Sequence, residues 1–310
     1  MANQSTNTAT DVAVVGSVNL DLVVRVEAVP LVGETVLGDD LREVPGGKGA
    51  NQAVAASRLG RSVGFVGRVG DDGNGATLRR ALTDAEVDTT FLAATADTPS
   101  GVALINVERG GDNAIVVSPG ANAHLDTADV DAAHDLLSNA KVVLLQLEIP
   151  LEAVQRAAGL ATGTVILNPA PARPLPNELL DQVDILIPNQ TELAALTGFD
   201  APITAQNAAE AASKLPVDSI VVTLGEQGAL VIDHGETTAV PAPAITPVDT
   251  TAAGDSFCAA LASALVEGAS LTEAASWAVK VGAATTLRPG AQPSLPTASE
   301  VEQLLQGSSI

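Results

Sequence analysis

The chain has 310 residues, 15 Lys and Arg against 37 Asp and Glu for a formal charge of −22, and 46% apolar residues. That apolar share excludes a disordered chain, and the lack of any basic stretch excludes a partner held by phosphate neutralisation, so neither DNA nor RNA is expected. The one cysteine, Cys258, excludes an internal disulfide framework, and the three scattered histidines have no zinc spacing.

In chain order, residues 1–10 are polar and lack the basic and apolar regions of a signal peptide. No later apolar run approaches the roughly 18 residues of a membrane helix, so a soluble, cytoplasmic protein without a membrane partner is expected. Residues 12–15, ended by Gly16, read as a buried strand, and residues 22–36 as a hairpin. A helix over 50–59, a strand over 62–66 and a helix over 76–82 follow, with residues 70–75 as the turn before that last helix. Residues 102–107 and 114–117, joined through 108–112, read as a second hairpin. Strands over 141–145, 164–167, 185–187, 219–224 and 229–232 then alternate with helices over 151–160, 191–196 and 205–214, and an apolar helix covers 257–266. Asn168 to Pro176 is a rigid surface connection.

Strands apolar on both faces that alternate with helices predict an α/β fold, with a mostly parallel central sheet and helices on both faces. A single domain over 1–310 is expected, with lid segments at about 20–44 and 99–118 forming a small antiparallel flap. A flap with so few residues to bury its own faces should close over a ligand, pair with a second copy in a homodimer, or both. Strong acidity with only four Lys is the composition expected in concentrated salt, where a Debye length of about 3 Å at 1 M weakens carboxylate repulsion.

Three segments carry chemistry. Val248-Asp249-Thr250-Thr251-Ala252-Ala253-Gly254-Asp255-Ser256-Phe257 leads into the apolar helix, and small residues there leave first-turn N–H groups pointing outwards as an anion hole. Asp255 reads either as a base that takes a hydroxyl proton beside those amides or as an ordinary helix-starting acid. Val44-Pro45-Gly46-Gly47-Lys48-Gly49-Ala50-Asn51-Gln52-Ala53 reads as a close-approach loop offering Lys48 and Asn51 as donors, or as a tight turn, and it is not a Walker loop. Gly16-Ser17-Val18-Asn19-Leu20-Asp21 lies past the carboxyl end of the first strand, where open α/β sheets bind ligands, with Asn19 and Asp21 on one face.

Together, and in this order, these segments resemble the ribokinase branch of the PfkB sugar-kinase family over about residues 11–294. The motifs are specific: Gly-Gly-Lys-Gly-Ala-Asn-Gln-Ala-Val-Ala at 46–55 and Asp-Thr-x-Ala-Ala-Gly-Asp at 249–255. The resemblance implies ATP-dependent phosphorylation of D-ribose at O5, with Asp255 as base and Ala252, Ala253 and Gly254 in the anion hole. It implies a sugar set of Asn19, Asp21, Gly47, Lys48, Gly49, Asn51 and Glu148, and an ATP set of Asn189, Thr223, Gly225, Glu226, Gly228 and Gly254. Glu192 is implied to hold Mg²⁺ through water, with Gln190 standing where the family often has a second Glu. A K⁺ site is implied at Asp249, Thr251, Thr285, Arg288, Gly290 and Ser294, mostly through main-chain carbonyls; an aliphatic residue is frequent at the position of Thr251. Alternative acceptors are another pentose, such as deoxyribose or ribose 1-phosphate with Lys48 and Arg68 as its cations, or a nucleoside. A non-catalytic sugar-binding module is the reading from a different class. Cys258 is expected to be a small core residue.

Overall fold

The structure, a computed structural model, describes residues 10–110 and 113–307. Most of the polar start and, within the second hairpin's turn, Gly111 and Asp112 lie outside the described residues. The first half of the chain builds β1 (Val12–Val15), β2 (Asn19–Val26), β3 (Arg42–Gly46), α1 (Lys48–Arg58), β4 (Val63–Gly70), α2 (Gly73–Asp84), β5 (Asp88–Thr95), β6 (Gly101–Glu108), β7 (Asn113–Ser118), α3 (Thr127–Ala132), α4 (His134–Asn139) and β8 (Val142–Leu145). The second half adds α5 (Leu151–Leu160), β9 (Thr164–Leu167), α6 (Asn177–Leu180), β10 (Ile185–Leu186), α7 (Gln190–Thr197), α8 (Ala208–Ala212), β11 (Ser219–Thr223), β12 (Ala229–Asp233), β13 (Glu236–Val240), α9 (Ala253–Val266), α10 (Leu271–Thr285) and α11 (Ala298–Gly307).

Nine strands form the central sheet in the order β13-β12-β11-β10-β9-β8-β1-β4-β5. Pairing is parallel from β11 across to β5 and antiparallel only at β12 and β13. Every residue of β1 and β8 is buried, because helices cover both faces. Val12 and Val14 pack into one core with α1, α9 and α10, while Ala13 and Val15 pack into the other with α3, α4 and α5. The chain runs outward from β1 to β4 on one side and to β8 on the other. That switch in direction opens a crevice at the carboxyl ends of these strands, and the chemistry-bearing segments gather there.

The segments expected to form a lid fall in a separate four-stranded sheet in the order β3-β2-β6-β7, antiparallel in its two outer pairs and parallel where β2 meets β6. Its base is one row across three strands, Gly46, Asn19 and Gly101.

Several elements differ from the sequence reading. The first hairpin returns through residues 42–46 rather than within 22–36. Leu31 and Val32, which fall within the expected hairpin, are 73% and 107% exposed in the intervening loop. The helix expected from Phe257 begins at Ala253, because Ala252 takes a left-handed conformation (φ 61°) and turns the chain into the helix early. Strand β5, the return strand β13 and helices α3, α4, α6, α10 and α11 add to the elements read from the sequence. Residues 70–75 do form a turn and helix start, with Asp72 capping α2 through the Gly75 amide at 2.7 Å. Cys258 is a buried core residue whose thiol is pushed well up by burial and by the nearby carboxylates of Asp255 and Glu192. No helix among the described residues is long and apolar enough to cross a membrane.

Candidate active site

Asn19 and Asp21 open β2 and are both buried. Asn122, in the short helical turn Gly120–His124, clamps the first of them: its Oδ1 accepts from the Val18 amide at 3.0 Å, and its Nδ2 donates to the Val18 carbonyl at 3.1 Å and to Asn19 Oδ1 at 2.7 Å. The Asn19 amide nitrogen is thereby turned away as a donor. Sequence reasoning missed Asn122, whose partner lies 104 residues earlier. Gly46 is needed beside Asp21, since a Cβ there would fall 2.2 Å from its carboxylate. Gly47 (φ 89°) and Gly49 bring the start of α1 onto the Ser17–Asn19 main chain. Glu148 fastens this junction, accepting at Oε2 from Ser17 Oγ at 2.5 Å and from the Lys48 amide at 3.1 Å.

These groups form a tight cluster of acids around one cation. Burial, and then the charges of Glu148 and Asp255, push Asp21 up to about 7. Burial pulls Lys48 down, but the carboxylates of Asp255, Glu148 and Glu192 outweigh it and hold the ammonium above its ordinary value, so it stays charged.

Asp255 lies in the first turn of α9, a helix whose N-cap, Ala252, supplies no side-chain hydrogen bond. The Gly254 and Asp255 amides have no carbonyl one turn back within the helix and point out of its end. Ala253, placed with them by the sequence reading, instead directs its amide at the Thr250 carbonyl, 3.3 Å away. The Asp255 carboxylate is buried and held on both oxygens: Asn51 Nδ2 donates to Oδ2 at 2.9 Å and Gln52 Nε2 to Oδ1 at 3.3 Å. Asn51 Oδ1 is buried without a donor.

On the far side of Asp255 lies a cleft of about 460 Å³, lined by Lys48, Asn189, Glu192, Thr223, Gly225, Ala252 and Gly254 among others. Asn189 and Glu192 form the capping box of α7, each side chain accepting from the other's amide at 2.8 Å. Burial raises the Glu192 carboxyl against the Asn189 N–H and Lys48, which lower it. Of the expected nucleotide residues, Glu226 is exposed and Gly228 sits in the β11–β12 turn, packed on the Val240 carbonyl; neither lines the cleft.

Behind the open helix end, Asp249 joins two loops. Its Oδ1 accepts from the Thr251 amide and hydroxyl at 2.9 and 2.6 Å, and its Oδ2 from the Gly290 amide at 2.8 Å. Burial raises this carboxyl, but those hydrogen bonds dominate and hold it below the usual range. Thr285 Oγ1 lies within hydrogen-bond distance of the Val281 carbonyl and Ser256 Oγ, at 2.9 and 2.8 Å, Ser294 donates to Ala291, and Arg288 pairs with Glu300 at 2.7 Å. Arg68 is not brought to the site: its guanidinium is committed to Asp129 in a two-pronged pair at 2.6 and 2.8 Å.

Residues 9–298 match the pfkB family carbohydrate kinases. The chain is 38% identical to a ribokinase of Haemophilus influenzae, over 94% of this chain and 97% of that one. It is 37% identical to a deoxyribokinase of Salmonella typhi, over 95% and 98%. Among solved structures, the Arabidopsis thaliana ribokinase complexed with ribose and ATP superposes with a TM-score of 0.88 at 36% identity, covering 96% of this chain and 99% of that one. The chain belongs to the pfkB family of carbohydrate kinases.

Proposed function

We propose that this pfkB-family chain transfers the γ-phosphoryl group of ATP to O5 of D-ribose, giving D-ribose 5-phosphate and ADP. One observation carries the assignment: a buried carboxylate, Asp255, stands at the wall between a polar cluster suited to hydroxyls and an open cleft suited to phosphates. The ribokinase relatives and the ribose–ATP complex of one of them support the choice of substrates.

In this reading Asp255 takes the proton of the 5-hydroxyl as its oxygen bonds to the γ-phosphorus and the bond to ADP breaks. The Gly254 and Asp255 amides meet the charge that develops on the phosphoryl oxygens. Asn19 donates to the sugar, Asp21 and Glu148 accept from it, and Asn51 Oδ1, buried without a donor, fits a hydroxyl hydrogen. Lys48 spans the two substrates. Asn189, Thr223 and Gly225 face the nucleotide.

Glu192 presents a single carboxylate with one oxygen outside the capping box, a donor set that fits Mg²⁺, an ion that keeps several waters. When bound there, Mg²⁺ would neutralise charge on the β- and γ-phosphates. Asp249 Oδ2 accepts one hydrogen bond and keeps a lone pair, so Asp249 with the carbonyls of Thr251, Thr285, Arg288, Gly290 and Ser294 fits K⁺. Bound K⁺ would stiffen the loop that presents the amides.

We take the chain as one domain with an inserted lid, working in the cytoplasm and in concentrated salt, and pairing through that lid as a homodimer. Exposed apolar side chains of this sheet support the pairing, Leu104 and Val116 on one face and Ile115 and Val117 on the other, all 44% exposed or more.

Deoxyribose is a second reading, favoured by the 37% identity to a deoxyribokinase. Ribose 1-phosphate loses one of its two expected cations, since Arg68 is held by Asp129. Catalytic efficiencies with ATP for ribose, 2-deoxyribose and ribose 1-phosphate, measured with and without Asp255→Asn, test the proposal. Ribose should rank first, and the variant should bind it while losing turnover about 1,000-fold or more. Near-normal turnover by the variant would refute the assignment.

A further inference from the structure

Beneath Asp255 runs a line of side-chain amides that the chemistry above leaves unused. Gln52 and Gln146 are both fully buried. Gln146 Nε2 donates to Gln52 Oε1 at 2.6 Å, and Gln52 Nε2 donates to Asp255 Oδ1 at 3.3 Å and to Asn168 Oδ1 at 3.4 Å. Asn168 in turn gives its Nδ2 to the Ile187 carbonyl at 3.0 Å.

The polarity of this line is forced. An ionised carboxylate only accepts, and Asn168, with its nitrogen bound to a main-chain carbonyl, shows Gln52 only its oxygen. Gln52 must therefore turn its nitrogen towards both and its oxygen back towards Gln146. Gln146 must then give its nitrogen, which leaves its Oε1 buried with no donor. That oxygen lies over Gly16, where a Cβ would come within 2.0 Å of it. A buried acceptor without a donor is penalised by its lost hydration, and an apolar side chain of similar length would only pass that penalty to Gln52 Oε1, which would lose the Gln146 donor. The number of donorless oxygens is the same either way and gives no reason for a glutamine at 146.

We propose that Gln146 and Gln52 are positioning residues for the phosphoryl transfer: through a one-way line of amides they hold the Asp255 carboxylate in a single orientation towards the acceptor hydroxyl. The inference rests on reading Asp255 as the base. With Asn51 on the other oxygen, both contacts on the carboxylate come from neutral amides, which fix its direction without pairing it to a cation.

The test compares Gln146→Met, Gln146→Glu and Asp255→Asn in the full chain, reading kcat, the KM for ribose, the acidic limb of kcat/KM, and Tm. In Gln146→Met the donorless oxygen passes from Gln146 to Gln52, one for one, so Tm should hold. The Gln52 amide is then free to turn, and kcat should fall about tenfold with the ribose KM within about twofold. In Gln146→Glu the new carboxylate only accepts and draws the Gln52 nitrogen to itself, turning Oε1 onto Asp255. Two facing acceptors favour protonation, so the acidic limb should move up by about one pH unit. The titratable groups facing Asp255, namely Lys48, Asp21, Glu192 and the Cys258 thiol, are unchanged in both Gln146 variants, and Gln146→Met adds no charge, so its kcat reads the orientation alone.

A purely structural role would lower Tm and leave the limb in place, and that result overturns the inference. So does a Gln146→Met protein with kcat within twofold of the unmodified chain, an arm that decides alone if Gln146→Glu does not fold. If Asp255→Asn keeps its turnover, it is the reading of the base that fails; if it is inactive while Gln146→Met is normal, only the positioning role fails.

Discussion

Where the chain enters α1, Gly47 and Gly49 are jammed against main chain, whereas Gly225 and Gly254, on the cleft side of Asp255, face open space. A Cβ on Gly49 would lie 2.7 Å from the Ser17 amide nitrogen, and one on Gly47 would lie 2.8 Å from that of Asn19. A Cβ on Gly254 would meet nothing within 4 Å. Gly254 sits in the first turn of helix α9 without a positive φ, so alanine could take its place there without backbone strain. The same residue type is therefore fixed by packing on one side and by the occupant of the cleft on the other. A motif rich in glycine does not by itself say which.

Substitutions should separate the two cases, the largest effect first. Gly49→Ala should lower stability by about 1–3 kcal/mol through overpacking against main chain and abolish ribose binding, read by calorimetry and ligand titration. Gly254→Ala should keep or raise Tm while kcat falls about 100-fold, because the methyl group occupies the space of the phosphoryl oxygens. If that variant turned over normally, the distinction would collapse.

The crowded side makes a smaller prediction through pH. Asp21, pushed up to about 7 from an ordinary 3.8, binds a proton in the folded chain that the unfolded chain has released. Its contribution to stability is therefore complete at the acidic end of that interval and falls as pH rises towards about 7. Sugar hydroxyls donate to the ionised form, so ribose affinity should rise over the same interval, about tenfold weaker one unit below 7 than on the plateau. Asp21→Asn should flatten both profiles. An affinity independent of pH in the unmodified chain would place the sugar elsewhere.

How far these features were legible depended on how locally each one is encoded. The sheet followed from short runs apolar on both faces, and the two glycine-rich motifs concentrate Lys48, Asn51, Gly254 and Asp255 in a few adjacent positions. Asn189 and Glu192 stand three apart, a spacing that also makes a capping box, so their place on α7 was readable even apart from any metal. Asn122 and Gln146 were not readable, because each acts on a partner 94 or more residues away and carries no local signature. Arg68 misled for the same reason, its partner Asp129 lying 61 residues on. The start of α9 was misplaced because the expected Ser, Thr, Asp or Asn cap is absent; a left-handed alanine does that work and leaves the helix end open.

The row at the base of the lid, with Asn19 between Gly46 and Gly101, also has a mechanical meaning. Asn19, the proposed donor to the sugar, stands at the fulcrum of an arm, since β2 runs on from Asn19 to Val26. At about 3.3 Å per residue, a rotation of about 10° around that row carries the far end of the strand through roughly 4 Å. A shift of a few tenths of an ångström at the proposed pentose site would thus be geared up along the strand, so that a ligand held there would have leverage over a sheet much larger than itself.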